Sequence, residues 1–280
     1  MTLDALVFGL FGAIIGSFLN VLILRRGAKT ILGRSGCLSC QHELEPLDLV
    51  PVVSWFMLRG RCRYCGSRIS LQYPLVEITT AIFFGLIGGA PLPLSLRLVA
   101  LPVAALLIAI SAYDIRHTII PDEWVFALSG CALIFTLAYL TQLDSLANFA
   151  PIFFAGPFAA FPFAGLWYVS DGRWMGLGDA KLAWAFGWLL GPLYAFVAIV
   201  YAFVAGALIS VCILLPLSSP AVWKMISRIT PSVHPAKGRW GFTMGSEVAF
   251  GPFLAAACAI VWLFILYRLD PLTPVLQFLP

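Results

Sequence analysis

Two aspartates, Asp114 and Asp179, stand at the edges of long apolar runs, the second closing the tetrapeptide Gly176-Leu177-Gly178-Asp179. An ionisable side chain at membrane depth costs roughly 2.5 to 3.5 kcal/mol on insertion scales, so its presence is a functional hypothesis by default. Two carboxylates brought together have the equipment to split a peptide bond with water. The ionised member draws a proton from the water, and the protonated one polarises the scissile carbonyl. Gly176 and Gly178 lack side chains, so the backbone ahead of Asp179 is expected to bend sharply and to approach a neighbour or an extended substrate closely. The competing reading makes each aspartate an interfacial charge paired with Arg116 or Lys181. That reading suits Asp122, Glu123, Asp144 and Asp171, since span ends are where charges normally sit.

A second constellation is Cys37-Leu38-Ser39-Cys40 and Cys62-Arg63-Tyr64-Cys65, two CxxC knuckles separated by the 21 residues 41–61. Paired knuckles at this separation match the four-thiolate zinc pattern, each supplying two corners of a tetrahedron. A thioredoxin-like redox pair would need a βαβ context that this short stretch does not offer. The zinc is expected to be structural, because a loop of this size buries too little apolar surface to fold unaided. Gly36, Gly60 and Gly66 suit the tight turns of the knuckles, and His42 is not needed where four cysteines fill the site. Cys131, Cys212 and Cys258 lie in apolar runs and read as small hydrophobes.

These residues must be positioned by membrane helices. The chain is 61% hydrophobic and only 11% charged, with mean hydropathy +0.97, whereas a soluble domain carries about 25% charged residues. At roughly 20 apolar residues per crossing, eight spans are expected: Leu3 to Leu24, Pro74 to Gly89, Leu96 to Tyr113, Glu123 to Leu140, Phe149 to Val169, Ala180 to Leu190, Leu193 to Leu215, and Val248 to Tyr267. The sixth is short and parted from the seventh only by Gly191-Pro192, read as a tight turn with a single broken helix as the competitor. The fold class is thus an all-α polytopic membrane protein with about eight transmembrane helices and a small cytoplasmic zinc-binding domain between the first and second. The domains are 1–24 (first helix), 25–73 (zinc domain) and 74–280 (helical bundle).

Orientation follows from cationic side chains, which favour cytoplasmic loops. Arg25, Arg26, Lys29, Arg34, Arg59, Arg61, Arg63 and Arg68 fall between the first two spans, and alternation puts Arg116, Arg173, Lys181, Lys224, Arg228, Lys237 and Arg239 on the same side. Both aspartates then face the cytoplasm. The first span has no basic stretch before it and reads as a permanent anchor. Its Gly12-xxx-Gly16 spacing reads as close helix packing, and Ser17 and Asn20 as bonds to a neighbouring helix. Glu77, inside the second span, reads as a polar contact within the bundle, and Glu43, Glu45 and Asp48 as solvated charges.

Taken together these motifs resemble the type IV prepilin peptidases, membrane aspartic peptidases of the GxGD class, over nearly the whole chain. Gly16-Ser17-Phe18-Leu19-Asn20-Val21 is similar to that family's first-helix signature. The stretch from Arg34 through the knuckles to Tyr73-Pro74-x-Val76-Glu77 is similar to its zinc-bearing segment, and Gly251-Pro252-Phe253-Leu254 to its last-helix signature. Asp114 with Pro121-Asp122, and Gly176-x-Gly178-Asp179-x-Lys181-Leu182, match its two catalytic motifs. The resemblance implies cleavage of the basic leader of prepilins and of type II secretion pseudopilins, on the cytoplasmic side of the bacterial inner membrane. It implies Asp114 and Asp179 as the catalytic pair, Cys37, Cys40, Cys62 and Cys65 as zinc ligands, and in many members N-methylation by S-adenosylmethionine. The partners expected are prepilins, pseudopilins and membrane lipid, with no nucleic acid. A proton-coupled transporter with a zinc module is the alternative, because intramembrane aspartates also build proton relays.

Overall fold

The computed structural model describes residues 3–26, 33–142, 149–214 and 249–270. Among them the chain forms helices and turns with no strand: α1 (Leu3–Arg25), α2 (Val53–Met57), α3 (Gln72–Gly89), α4 (Leu94–His117), α5 (Asp122–Gln142), α6 (Phe149–Ser170), α7 (Leu177–Ile209) and α8 (Gly251–Leu266). A 3-10 turn, Pro46–Leu49, precedes α2. The helices reproduce the apolar runs to within a few residues at the ends that are described. Lys29, Lys224, Arg228, Lys237 and Arg239, used above for orientation, lie outside the described residues, as do Leu215 and Val248.

Among the described residues, five helices are long and apolar enough to cross a membrane by length and composition: Leu3–Arg25, Leu94–His117, Asp122–Gln142, Ala150–Ser170 and Leu177–Cys212, with Gly251–Leu266 a shorter apolar helix. The expected eight differ from these five for physical reasons. α3 is only 18 residues long and spends several of them on Gln72, Glu77, Thr79 and Thr80. α8 has 16. The sixth and seventh runs lie within one helical assignment, interrupted at Gly191 by φ 77° and ψ 174°.

That interruption reverses the chain. Before it, Gly187 packs on Ala155 and Gly156, and Gly191 reaches Ile152; after it, Phe203 stacks on Phe163 at 6.1 Å. Both halves therefore lie along α6, one running toward residue 152 and the other away from it. Gly191 supplies the positive φ that a side chain would resist, and Pro192 starts the second half, where the N–H that proline lacks would have had no helical partner. The turn reading thus describes the geometry better than a kinked rod.

Glycine sets the spacing of the outer helices. A Cβ on Gly12 would meet the Thr80 carbonyl at 2.7 Å, and one on Gly16 the Glu77 Cα at 2.7 Å, so α1 and α3 touch backbone to backbone as small-residue packing requires. Asn20 crosses the same seam, donating from Nδ2 to the Tyr73 carbonyl at 3.1 Å. The core is apolar and centred on α4, α7 and α8, with Trp262, Phe186, Ile110 and Leu182 fully buried. Cys258 belongs to it, as a small hydrophobe should. Leu6, Leu10, Ile14 and Phe18 of α1 face outward and exposed, which water would penalise and hydrocarbon would not.

Candidate functional site

Asp114 and Asp179 are 4% and 8% exposed. Asp114 does not end its helix, as the apolar run suggested. α4 continues to His117 and closes where Thr118 takes the left-handed conformation and returns its N–H to the Asp114 carbonyl at 2.7 Å. Asp179 lies in the first turn of α7, after Gly176 as N-cap. The fold brings the two close enough for the Asp114 carboxylate to act electrostatically on Asp179. The Asp114 carboxylate accepts the N–H of Gly251, at the start of α8; that of Asp179 accepts the N–H of Gly176.

The ion pairs of the competing reading do not form. Lys181 turns to Asp122, donating to both carboxylate oxygens at 2.8 Å, and Arg116 bonds the Gln72 side chain at 3.3 Å. Neither Asp114 nor Asp179 pairs with a cation among the described residues. Asp122 and Glu123 behave as the interfacial charges expected of them, Glu123 pairing with Arg26. Asp171 lies 3.9 Å from Arg173 in an exposed pair, and Asp144 falls outside the described residues.

The glycines allow the close approach expected of them but not the bend. Gly176 has φ −75° and ψ 147°, open to any residue, and Gly178 is helical, so neither supplies a bend. What Gly178 supplies is room: a Cβ there would lie 3.0 Å from the Cβ of Ile120, and one on Gly251 would lie 3.2 Å from its Cδ1 and 2.5 Å from Asp114 Oδ2. Ile120 is thus wedged between the two glycines, and through it the segments bearing Asp114, Asp179 and Gly251 converge. Sequence reasoning singled out Gly251-Pro252 without assigning it a task, and overlooked Ile120. Arg26 was also missed; its guanidinium lies 5.2 Å from the Tyr113 ring centroid and 5.4 Å from that of Trp124, fastening the end of α1 beside Asp114.

The cysteines meet as the spacing predicts. The sulfurs of Cys37, Cys40, Cys62 and Cys65 all lie within 4.8 Å of one another, and Sγ of Cys37 and Cys65 are 3.9 Å apart. A tetrahedral ion with bonds of about 2.3 Å needs sulfurs roughly 3.8 Å apart, so the donor set and its size suit a metal ion. Each knuckle is a tight hairpin, bridged at Gly36–Glu43 and Arg61–Arg68. The residue after each second cysteine takes positive φ: Gly66 in one, but Gln41 in the other. Gly36 keeps an ordinary φ and instead lets the His42 carbonyl approach.

Backbone N–H groups of Cys40 and Ser39 aimed at the Cys37 sulfur push its thiol down to about 6, and the Ser67 hydroxyl and N–H lower Cys65. The His42 N–H is the largest single influence on Cys40 and lowers it, but desolvation, hydrogen bonds with Cys65 and Cys37 and the Cys37 charge together outweigh it and push the thiol up to about 11. Four sulfurs this close hold four negative charges only around a cation. Metal affinity therefore rises with pH and falls as acid protonates the thiolates, so acidifying the metal-loaded protein is expected to release the ion, followed by assaying the free metal against pH. Chelation at neutral pH should open residues 33–70 to protease while α4 to α7 stay protected. A chelated sample whose module resists digestion would contradict this.

Other module contacts refine the sequence reading. Asp48 is not a solvated charge: its side chain is 3% exposed and accepts Arg63 Nε at 2.7 Å, tying the 3-10 turn to the second knuckle. Glu43 does pair openly with Arg34, at 2.7 Å. The His42 and Tyr64 rings meet across the two knuckles, their centroids 3.7 Å apart and their planes tilted by 37°, and Glu77 makes the polar bundle contact expected of it.

A helical bundle with apolar, membrane-length helices, two buried carboxylates unpaired among the described residues and a four-cysteine module joined to the same end defines a class of membrane proteins built around a carboxylate pair. Within that class, residues 10–89 match the profile described as the bacterial Peptidase A24 N-terminal domain, and residues 101–211 that of the type IV leader peptidase family. The chain belongs to this family. It is 34% identical over 206 residues to the type 4 prepilin-like proteins leader peptide-processing enzyme of Escherichia coli O78:H11, covering 65% of this chain and 75% of that relative. It is 29% identical over 288 residues to the prepilin leader peptidase/N-methyltransferase of Dickeya chrysanthemi, covering 90% and 89%. The protein so named in Myxococcus xanthus is 33% identical over 218 residues, where the match covers 76% of this chain and 64% of that relative's length. No solved structure is detectably similar.

Proposed function

We propose that this chain is a membrane aspartic endopeptidase that removes the basic leader of type IV prepilins and pseudopilins. The observation that carries the reading is the meeting of Asp114 and Asp179, both buried and neither paired with a cation among the described residues, at the place where α4, α7 and α8 converge. One carboxylate takes a proton from the attacking water, and its partner, holding the pair's shared proton, donates to the carbonyl oxygen. Gly176 leaves open space beside Asp179 for an extended segment: a Cβ there would meet only that aspartate's carboxylate and its own helix start.

The family likeness supports the finer points. The chain crosses the bacterial inner membrane eight times, counting α3, α8 and both halves of α7, with the module of residues 25–73 and the aspartates on the cytoplasmic side. A substrate with its leader in the cytoplasm and an apolar helix in the bilayer would have its scissile bond at that depth. Zinc held by Cys37, Cys40, Cys62 and Cys65 supplies a structural cross-link. Methyl transfer from S-adenosylmethionine to the new amino terminus completes the proposal, by likeness to relatives whose names include it. Purified protein mixed with a prepilin and S-adenosylmethionine tests all of this through the mass of the product's amino terminus. Release of the leader with a methylated terminus is expected, and an uncut prepilin would refute the peptidase.

A further inference from the structure

The buried carboxylate of Glu77, 7% exposed, holds a feature outside the acid–base site. Its Oε2 accepts the N–H of Val52 at 2.6 Å, and the carboxylate also accepts the hydroxyl of Ser17 from α1. Val52 has φ 64° and ψ −53°, while the Val53 N–H reaches back to the Pro51 carbonyl at 2.6 Å. That is a γ-turn of the rare, strained, positive-φ kind, and for a β-branched residue it is an outlier. Such conformations persist only where their surroundings over-determine them.

The turn sits at the junction of bundle and module. It joins the 3-10 turn, whose Asp48 binds Arg63 of the second knuckle, to α2, whose Trp55 donates from Nε1 to the Ile69 carbonyl at 3.4 Å. Trp55 also fills the space where a Cβ on Gly60 would lie, 2.7 Å from its Cζ2. Whatever fixes the turn therefore fixes both approaches to the second knuckle.

We propose that Glu77 is a positioning residue that latches the four-cysteine module onto the membrane bundle by holding the strained Pro51-Val52-Val53 turn. An ionised acceptor serves better than a neutral one, since charge-assisted hydrogen bonds are roughly twice as strong. The kinetic consequence rests on the leader-peptidase reading: a module held in register with the bundle presents the substrate's leader correctly. Its loss raises KM for a prepilin and spares kcat.

The test uses the full-length, zinc-loaded protein in detergent and exploits glycine, which takes φ near +64° without strain. In Glu77→Ala, amide exchange across residues 50–58 should quicken about tenfold or more, as expected when the support of a strained residue is lost. Val52→Gly alone should leave it near the parent. In the double variant, exchange and prepilin KM should both return to within about threefold of the parent, because an unstrained turn no longer needs its latch. Should Glu77→Ala not accumulate, Glu77→Gln, which keeps an acceptor oxygen without the charge, should quicken exchange about threefold. Unchanged exchange in the Glu77 variants, failure of Val52→Gly to rescue, or a fall in kcat at constant KM would each overturn the latch. A parent protein that cuts no prepilin would instead overturn the peptidase reading and leave the exchange measurement to decide this one.

Discussion

Replacing either Asp114 or Asp179 by asparagine is expected to lower kcat for leader cleavage by at least about 10³-fold, and replacing both to cost little more. A carboxylate pair works as one unit, so the first loss removes nearly everything and the second has little left to remove. The geometry makes the test clean. Asparagine keeps an acceptor oxygen for the Gly251 N–H at position 114 and for the Gly176 N–H at position 179. Neither aspartate supports an ion pair that would leave a cation stranded, and removing one charge relieves a repulsion. Thermal unfolding of the variants should therefore match or exceed that of the parent. Asp122→Asn serves as the control, since it loses an exposed pair with Lys181 of the kind measured at about 0 to 1 kcal/mol. Cleavage within tenfold of the parent in Asp114→Asn or Asp179→Asn, with folding intact, would remove the aspartates from the chemistry.

What could be read beforehand was local. A CxxC knuckle carries its own geometry within four residues, so the two pairs announced a site whose sulfurs the fold does gather within 4.8 Å. Helix positions followed from run length, because hydrocarbon demands about 20 apolar residues whatever they pack against. The reversal at Gly191-Pro192 was legible for the same reason, as a glycine and a proline that no continuous helix would favour. Tertiary facts were out of reach. Nothing in the order of residues says that the start of α8 supplies a donor to Asp114, that Ile120 separates two glycines, or that Asp48 is enclosed by the second knuckle. Composition also misled where a residue's type has two uses. Gly176 and Gly178 promised both a sharp bend and a close approach; neither has a backbone that needs glycine, and for Gly178 only the second holds, through its absence of volume. Conversely, Gln41 and Val52 adopt positive φ with nothing in their chemistry to mark them.

Gly251→Ala should lower kcat about 100-fold while shifting stability little, and the contrast between those two readings identifies the residue's task. The added methyl would stand 2.5 Å from Asp114 Oδ2 and 3.2 Å from Ile120 Cδ1. Contacts this close cannot persist, and the atoms free to move are the ends of two side chains rather than backbone. The bundle can therefore absorb the change by swinging the Asp114 carboxylate off the Gly251 N–H. Doing so displaces one member of a pair whose function depends on its distance from the other, and a misplacement of about 1 Å costs on the order of 10²-fold in rate. Gly178→Ala should be severe by a different route, since its methyl would meet Ile120 at Cβ, 3.0 Å away, where no side-chain rotation gives relief. It should lower melting temperature as well as kcat. Gly176→Ala should be the mildest of the three, its methyl lying 3.9 Å from Asp179 Oδ2 in ordinary contact. Measuring kcat, KM and melting temperature for all three separates these causes: a Gly251→Ala enzyme with parental kcat would mean that Asp114 does not act from the position the start of α8 gives it.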